Sequence, residues 1–256
     1  MTLLGAYVWP RDDQREVWAG GLVALLSELG FREGAARVSL TRLARRDLIA
    51  RRKQGRLVHY TLTDRARVVL AEGDSRIFTL GGNGQPGERW TLLWHAIPDT
   101  HRRAREALVR RLRFLGFGPI QDGTWLAVRD ALTQVGDLLD ELEVREHAGL
   151  MHCSPADAGD ARRLIARAWN LDALAETYAA FVARFDGASA DDDATAFRLR
   201  TRLVHTFRQF PFRDPELPEN LIAAPVKRAE AVTLFHELYS ALAPAAQRHF
   251  DEVTTP

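Results

Sequence analysis

Between Arg32 and Arg56 the chain carries nine basic side chains, Arg32, Arg37, Arg42, Arg45, Arg46, Arg51, Arg52, Lys53 and Arg56, against only Glu33 and Asp47. A guanidinium fork matches the acceptor pair on guanine, a hydroxyl adapts to several bases, and either can hold a phosphate. Arg37, Thr41 and Arg42 recur on one side of a helical segment and are the candidates for reading base edges in a major groove. Ser39, Arg45 and Arg46 are placed nearer the phosphates. Arg51, Arg52, Lys53 and Arg56 fall in and around a turn, where they would neutralise backbone charge and position the module. A solvated surface could carry the same charges. What favours DNA is that charge, periodicity and the order of segments agree.

Other chemistries find less support. Eight histidines are present, yet there is no Gly-x-Ser-x-Gly elbow, and the one cysteine lies beside a histidine as His152-Cys153. Neighbours on a strand point to opposite faces, so that pair suits neither nucleophile nor base. A single cysteine excludes an intramolecular disulfide and a multi-cysteine zinc site. His95, His101, His205 and His236 show no metal-ligand spacing. The glycines of 81–87 fit neither common nucleotide fingerprint and read as a loop. No catalytic residue, metal or cofactor is expected.

The elements that must hold the basic residues follow from periodicity. Trp18, Leu22, Leu25, Leu26 and Leu29 predict an amphipathic helix over 16–29 closed by Gly30, and Ala36, Leu40 and Leu43 a second over 33–46. The period then falls to two at Val58, Tyr60 and Leu62, which predicts a hairpin with a basic tip at Lys53-Gln54-Gly55-Arg56. Helix, turn, helix, hairpin is the order of a winged helix-turn-helix, placed at 1–63. Residues 64–88 read as a connector with a short helix over 64–70. Over 89–153 the signals alternate as βαββαβ, the order of a ferredoxin-like domain that would serve dimerisation. Residues 154–256 read as a helical module, with helices over 171–185, 197–209 and 227–242. The fold class is therefore α+β in several domains. The first module is expected to fold without the residues after 63.

The whole chain, 256 residues at net charge +1, is 46% hydrophobic and 27% charged. The neutral total conceals the basic N-terminal module, which is balanced by later acids such as Asp191, Asp192 and Asp193. No apolar run approaches the length of a membrane span and no signal peptide is visible, so a soluble cytoplasmic protein is expected.

Four stretches resemble the PaaX family of repressors, named for control of phenylacetic acid degradation. They are Leu3-Leu4-Gly5-Ala6-Tyr7-Val8 with Glu16-Val17-Trp18; 30–43; Leu112-Arg113-Phe114-Leu115-Gly116-Phe117-Gly118 with Gly123-Thr124-Trp125; and a C-terminal set. That set comprises 203–210, Asp214-Pro215-Glu216-Leu217-Pro218 and Leu234-Phe235-His236-Glu237-Leu238-Tyr239. Two departures stand out. The chain opens almost directly on its first helix, shorter than the family's usual opening, and Arg32 replaces a helix-capping serine, at a cost of about 1 kcal/mol. The resemblance implies a homodimer that leaves a double-stranded operator when an acyl-coenzyme A thioester binds, phenylacetyl-coenzyme A in the type case. Junctions between modules favour such pockets. Trp90, Trp94 and Trp125, with His205, Arg208 and Arg213, are candidate effector contacts, although the tryptophans suit a core equally well. A DNA-binding protein with no effector is the alternative. The middle segment is also similar to the small nuclease of CRISPR spacer acquisition, but Ala96 falls where its metal-binding carboxylate would stand, with Asp99 three residues on.

Overall fold

A computed structural model describes residues 1–9, 11, 15–82 and 89–256. The chain is a mixed α+β protein of several domains. Its elements run α1 (Thr2–Tyr7), β1 (Val17–Trp18), α2 (Ala19–Glu28), α3 (Glu33–Arg45), β2 (Ile49–Gln54), β3 (Leu57–Leu62) and α4 (Asp64–Thr79), then β4 (Trp90–His95), α5 (Arg102–Phe114), β5 (Gly118–Gln121), β6 (Thr124–Ala127), α6 (Leu132–Glu141) and β7 (Ala148–Cys153). Five helices complete it: α7 (Ala158–Ala168), α8 (Leu171–Phe185), α9 (Asp193–Phe207), α10 (Arg228–Ala241) and α11 (Ala243–Thr254). Among the described residues no helix is long and apolar enough to cross a membrane. The glycine loop of the sequence reading lies mostly outside the described residues.

These elements pack into two compact units. One comprises Met1–Phe78, Phe185–Arg208 and Thr233–Pro256, the other Thr79–Arg184 and Gln209–Val232. In the first, β3 is the central strand of an antiparallel sheet ordered β1-β3-β2. The helix expected over 16–29 begins later because Val17 and Trp18 are extended and pair with Tyr60 and His59. A β-branched and an aromatic residue suit that edge. α4 is longer than the expected 64–70.

The core of this unit is where sequence and structure part. Leu3, Tyr7, Leu22, Leu25, Leu40 and Tyr60 share it with Phe197, Leu242, Ala246 and Phe250. The Phe250 ring stacks on Tyr7, centroids 5.0 Å apart, and the Tyr7 hydroxyl donates to the Phe197 carbonyl at 3.2 Å. At Gly21 a Cβ would sit 2.3 Å from the Val253 carbonyl oxygen, so glycine is what lets α2 and α11 approach so closely. Buried Arg200 lies over Tyr239, 4.1 Å from its centroid, and donates to the Ala6 carbonyl at 3.0 Å. The core of the first unit therefore extends beyond residue 63. Its apolar surface is closed by α9, expected as a helix but without a partner, and by α11, a helix beyond the last one expected, which ended at 242.

In the second unit a four-stranded antiparallel sheet has the order β5-β6-β4-β7. Leu93 and Trp125 on one face pack with Leu108 and Leu112 of α5 and Val135 and Leu139 of α6. Trp90 and Leu126 on the opposite face pack with Ala161 and Ile165 of α7. The Asp-Pro-Glu-Leu-Pro block centres on Asp214, only 2% exposed. It accepts from the Tyr178 hydroxyl at 2.6 Å and pairs with Arg228 at 3.0 Å, while Arg228 also reaches Glu216 at 3.2 Å. This distinctive block thus braces a loop with a buried ion-pair network.

Candidate nucleic-acid interface

α3 starts without a side-chain cap, since Arg32 occupies the N-cap and makes no capping bond. Glu33 in its first turn and Arg42 and Arg45 in its last complement the helix dipole. Beyond Arg46 the chain turns at Asp47 with φ 54°, a left-handed geometry that aspartate tolerates better than most residues.

At about 100° per residue, the buried Ala36 and Leu40 and half-buried Leu43 cluster on one side of α3. Gly34, Arg37, Val38, Thr41, Arg42 and Arg45 centre on the opposite, exposed side. Five of the candidate residues therefore divide cleanly: Arg37, Thr41, Arg42 and Arg45 share that face, and Ser39 does not. Ser39 stands beside Leu43 at the edge of a cleft described below. Val38, 58% exposed, belongs to the polar face although sequence reasoning passed over it. Its only signal was that it falls outside the buried period. An apolar side chain there is suited to a thymine methyl group. Thr41 Oγ1 donates to the Arg37 carbonyl at 3.0 Å, which leaves its lone pairs for accepting.

The β2–β3 hairpin closes through Gly55 at φ 60°. Arg51, Arg52, Lys53 and Arg56 are all exposed. Register places Arg51 and Lys53 opposite Tyr60 and Val58, and Arg52 opposite His59, so the wing presents cations on both faces. Two of the candidates have carboxylate partners. Arg37 pairs with Glu33 at 3.3 Å, and Arg52 with Glu16. Such exposed pairs are worth well under about 1 kcal/mol and would readily exchange for phosphate.

The proposed effector contacts do not form one lining. Trp90 and Trp125 are buried on opposite faces of their sheet, and Trp94, on the Trp90 side, is 45% exposed. Arg213 is exposed after the 3₁₀ turn Phe210–Phe212. His205 and Arg208 do come together, on and just beyond α9. Arg208 Nη1 donates to Thr2 Oγ1 at 2.7 Å, and His205 Nδ1 lies 3.4 Å from the same oxygen. Desolvation and the neighbouring Arg208 charge hold the His205 imidazole below its ordinary pKa. His205 also lines a cleft of about 290 Å³ walled by α1, α2, α3 and α9. The end of β4 carries His95 and then Ala96, and Asp99 is paired with Arg105 at 2.8 Å.

Comparison with known proteins adds the following. The PaaX-like protein family matches residues 1–66, the PaaX protein central Cas2-like domain residues 83–165, and the PaaX-like protein C-terminal domain residues 169–252. The chain is 28% identical over 242 residues to the transcriptional repressor PaaX of Escherichia coli K12, a match covering 90% of this chain and 76% of that protein. An uncharacterised protein of Mycobacterium tuberculosis superposes with a TM-score of 0.58 at 20% identity, covering 98% of this chain and 96% of that one, and so shares the fold.

Proposed function

The chain belongs to the PaaX family, and on that premise we propose that it is a transcriptional repressor that grips double-stranded DNA through α3 and the β2–β3 hairpin. The observation that carries the reading is the exposed face of α3, where Arg37, Thr41, Arg42 and Arg45 stand together opposite the buried side. We read the first sheet with its helices as a winged helix-turn-helix, with α3 as recognition helix. Arg37 and Arg42 contact bases, Val38 a thymine methyl, and Arg45, Arg46, Arg51, Arg52, Lys53 and Arg56 the phosphates. The β4α5β5β6α6β7 segment is read as a ferredoxin-like domain through which two copies associate. Two wings on a two-fold axis would match half-sites about one helical turn apart, or a multiple of it.

Release is assigned to a small-molecule effector, an acyl-coenzyme A thioester on the family's pattern. An effector frees DNA only to the extent that it binds the DNA-incompetent arrangement more tightly. The test is a mobility-shift titration of the full chain on the promoter DNA upstream of its own gene. It is run over a salt series, with and without acetyl-, hexanoyl- and phenylacetyl-coenzyme A. Tight, salt-dependent binding that exceeds binding to random duplex supports the repressor reading, and equal affinity for both duplexes would reject it. A retained complex with every thioester would remove that effector class and leave the DNA-binding role in place.

A further inference from the structure

Within the first unit, the space behind α3 is not filled by protein. The cleft of about 290 Å³ lies at the lower bound of ordinary ligand sites, about 300–1,000 Å³. Leu26 of α2, Leu29 just past its end and Leu43 of α3 are only half-buried along its wall, and Phe31 beside them is 55% exposed. Four large apolar side chains are thus left in contact with water where a well-packed core would close over them. The other end of the cleft is polar and of one sign. Thr2, Arg202 and His205 line it, and no carboxylate does so among the described residues. Behind Thr2, the Arg208 guanidinium is desolvated by its surroundings, yet it forms no ion pair among the described residues. With the Thr2 hydroxyl as its acceptor and His205 and the Met1 amino group as its charged or basic neighbours, this partly buried guanidinium has no anion beside it among the described residues.

We propose that this cleft binds a small carboxylate with an apolar body, aliphatic or aromatic, and that its occupancy weakens DNA binding by displacing α3. The apolar body lies along Leu26, Leu29, Leu43 and Phe31, and the carboxylate meets Arg202, His205 and Thr2, whose hydroxyl is held from behind by Arg208. The volume accommodates the body of a small acid and is too small to enclose a whole coenzyme A thioester. Ser39, Leu40 and Leu43 of α3 form one wall. A ligand seated there therefore bears directly on the helix that carries Arg37 and Arg42. This regulatory half rests on the DNA-binding role given to α3 above.

The test uses the full chain with methyl-labelled leucine and two probes, octanoate and 2-naphthoate. DNA-free protein is titrated first. Saturable shifts of the Leu26, Leu29 and Leu43 methyls are expected, together with a rise in the His205 pKa as the carboxylate arrives. Arg202→Gln, at the exposed rim, should weaken binding about ten-fold, and Leu29→Trp should abolish it by filling the cleft. Neither probe shifting these methyls would overturn the site, as would shifts that Arg202→Gln leaves unchanged. Affinity for selected duplex DNA is then measured with and without the bound acid. A loss of between about 5- and 150-fold is the range of ordinary coupling, and saturable acid binding with DNA affinity unchanged would overturn the regulatory half. Failure of the ligand-free protein to bind DNA would instead count against the repressor reading, while the methyl titration still decides whether the cleft is a site.

Discussion

The packing of the C-terminal helices into the first unit makes a prediction that a self-contained DNA-binding module would not. Phe250 is fully buried, stacks on Tyr7 at an interplanar angle of 9°, and shares its core with Leu22 and Leu40 of the helix pair α2 and α3. Truncating a buried phenylalanine to alanine removes its transfer energy and leaves a cavity, at a cost of about 3–5 kcal/mol. Against a total stability of about 5–15 kcal/mol, Phe250→Ala should substantially loosen α2 and α3, some two hundred residues away in sequence. Two units need not melt as one transition, so the assay must be regional. Hydrogen exchange followed by mass spectrometry on peptides from 19–45 gives that resolution. Amides that exchange only by opening of the whole unit should speed up about a hundred- to a few thousand-fold, at a factor of ten per 1.4 kcal/mol. Phe212→Ala, in the second unit and 45% exposed, should leave those peptides unchanged. If Phe250→Ala left exchange over 19–45 as in the parent chain, the shared core would be wrong and the first module would stand alone.

Glu16→Gln should free Arg52 from its carboxylate partner and raise affinity for random duplex, with the salt slope steepening by up to about one unit; unchanged binding would show that Arg52 does not meet phosphate. Asp74 has its carboxyl pushed up to about 6, chiefly by desolvation and against a hydrogen bond with Trp9. Its protonated form is therefore favoured by folding: the associated stability is full below about pH 4 and lost as pH rises through 6. Asp74→Asn should accordingly raise the melting temperature at pH 7 and lose that advantage by about pH 4, and a gain that does not depend on pH would refute the cause given. Since Ala96 follows β4 and the nearby Asp99 is held by Arg105, incubation with DNA or RNA and magnesium or manganese should leave the nucleic acid intact. Cleavage that disappears in Asp99→Ala would contradict this.

What could be read in the sequence was whatever is periodic and local. Ala36, Leu40 and Leu43 mark the buried side of α3 without reference to any other segment, and the alternation from Val58 to Leu62 marks a strand. The order of elements over 90–153 followed from the same signals. α1 is six residues long and β1 only two, too short for a period to show. Partnership was also hidden. Phe197 falls in an expected helix and 243–254 in no expected element, nothing in either stretch says that Tyr7 and α2 will be covered by them, and Gly21 reveals its purpose only once α11 is in place. The three tryptophans were grouped by type, whereas strand register sends Trp125 to the face opposite Trp90 and Trp94. The cleft behind α3 draws its walls from residues 1–4 and 201–205 as well as from α2 and α3, so no single stretch carries its signal.

The measurement that bears most directly on the repressor reading is selection of duplexes from a random library by the full chain and by its Arg42→Ala variant. The parent chain is expected to enrich an inverted repeat. Arg42→Ala should lose about 1–3 kcal/mol on that sequence and relax preference at one position in each half-site, leaving binding to random duplex nearly unchanged. No enrichment by the parent chain, or an Arg42→Ala variant that selects the same sequence with the same strength, would contradict α3 as the element that reads DNA.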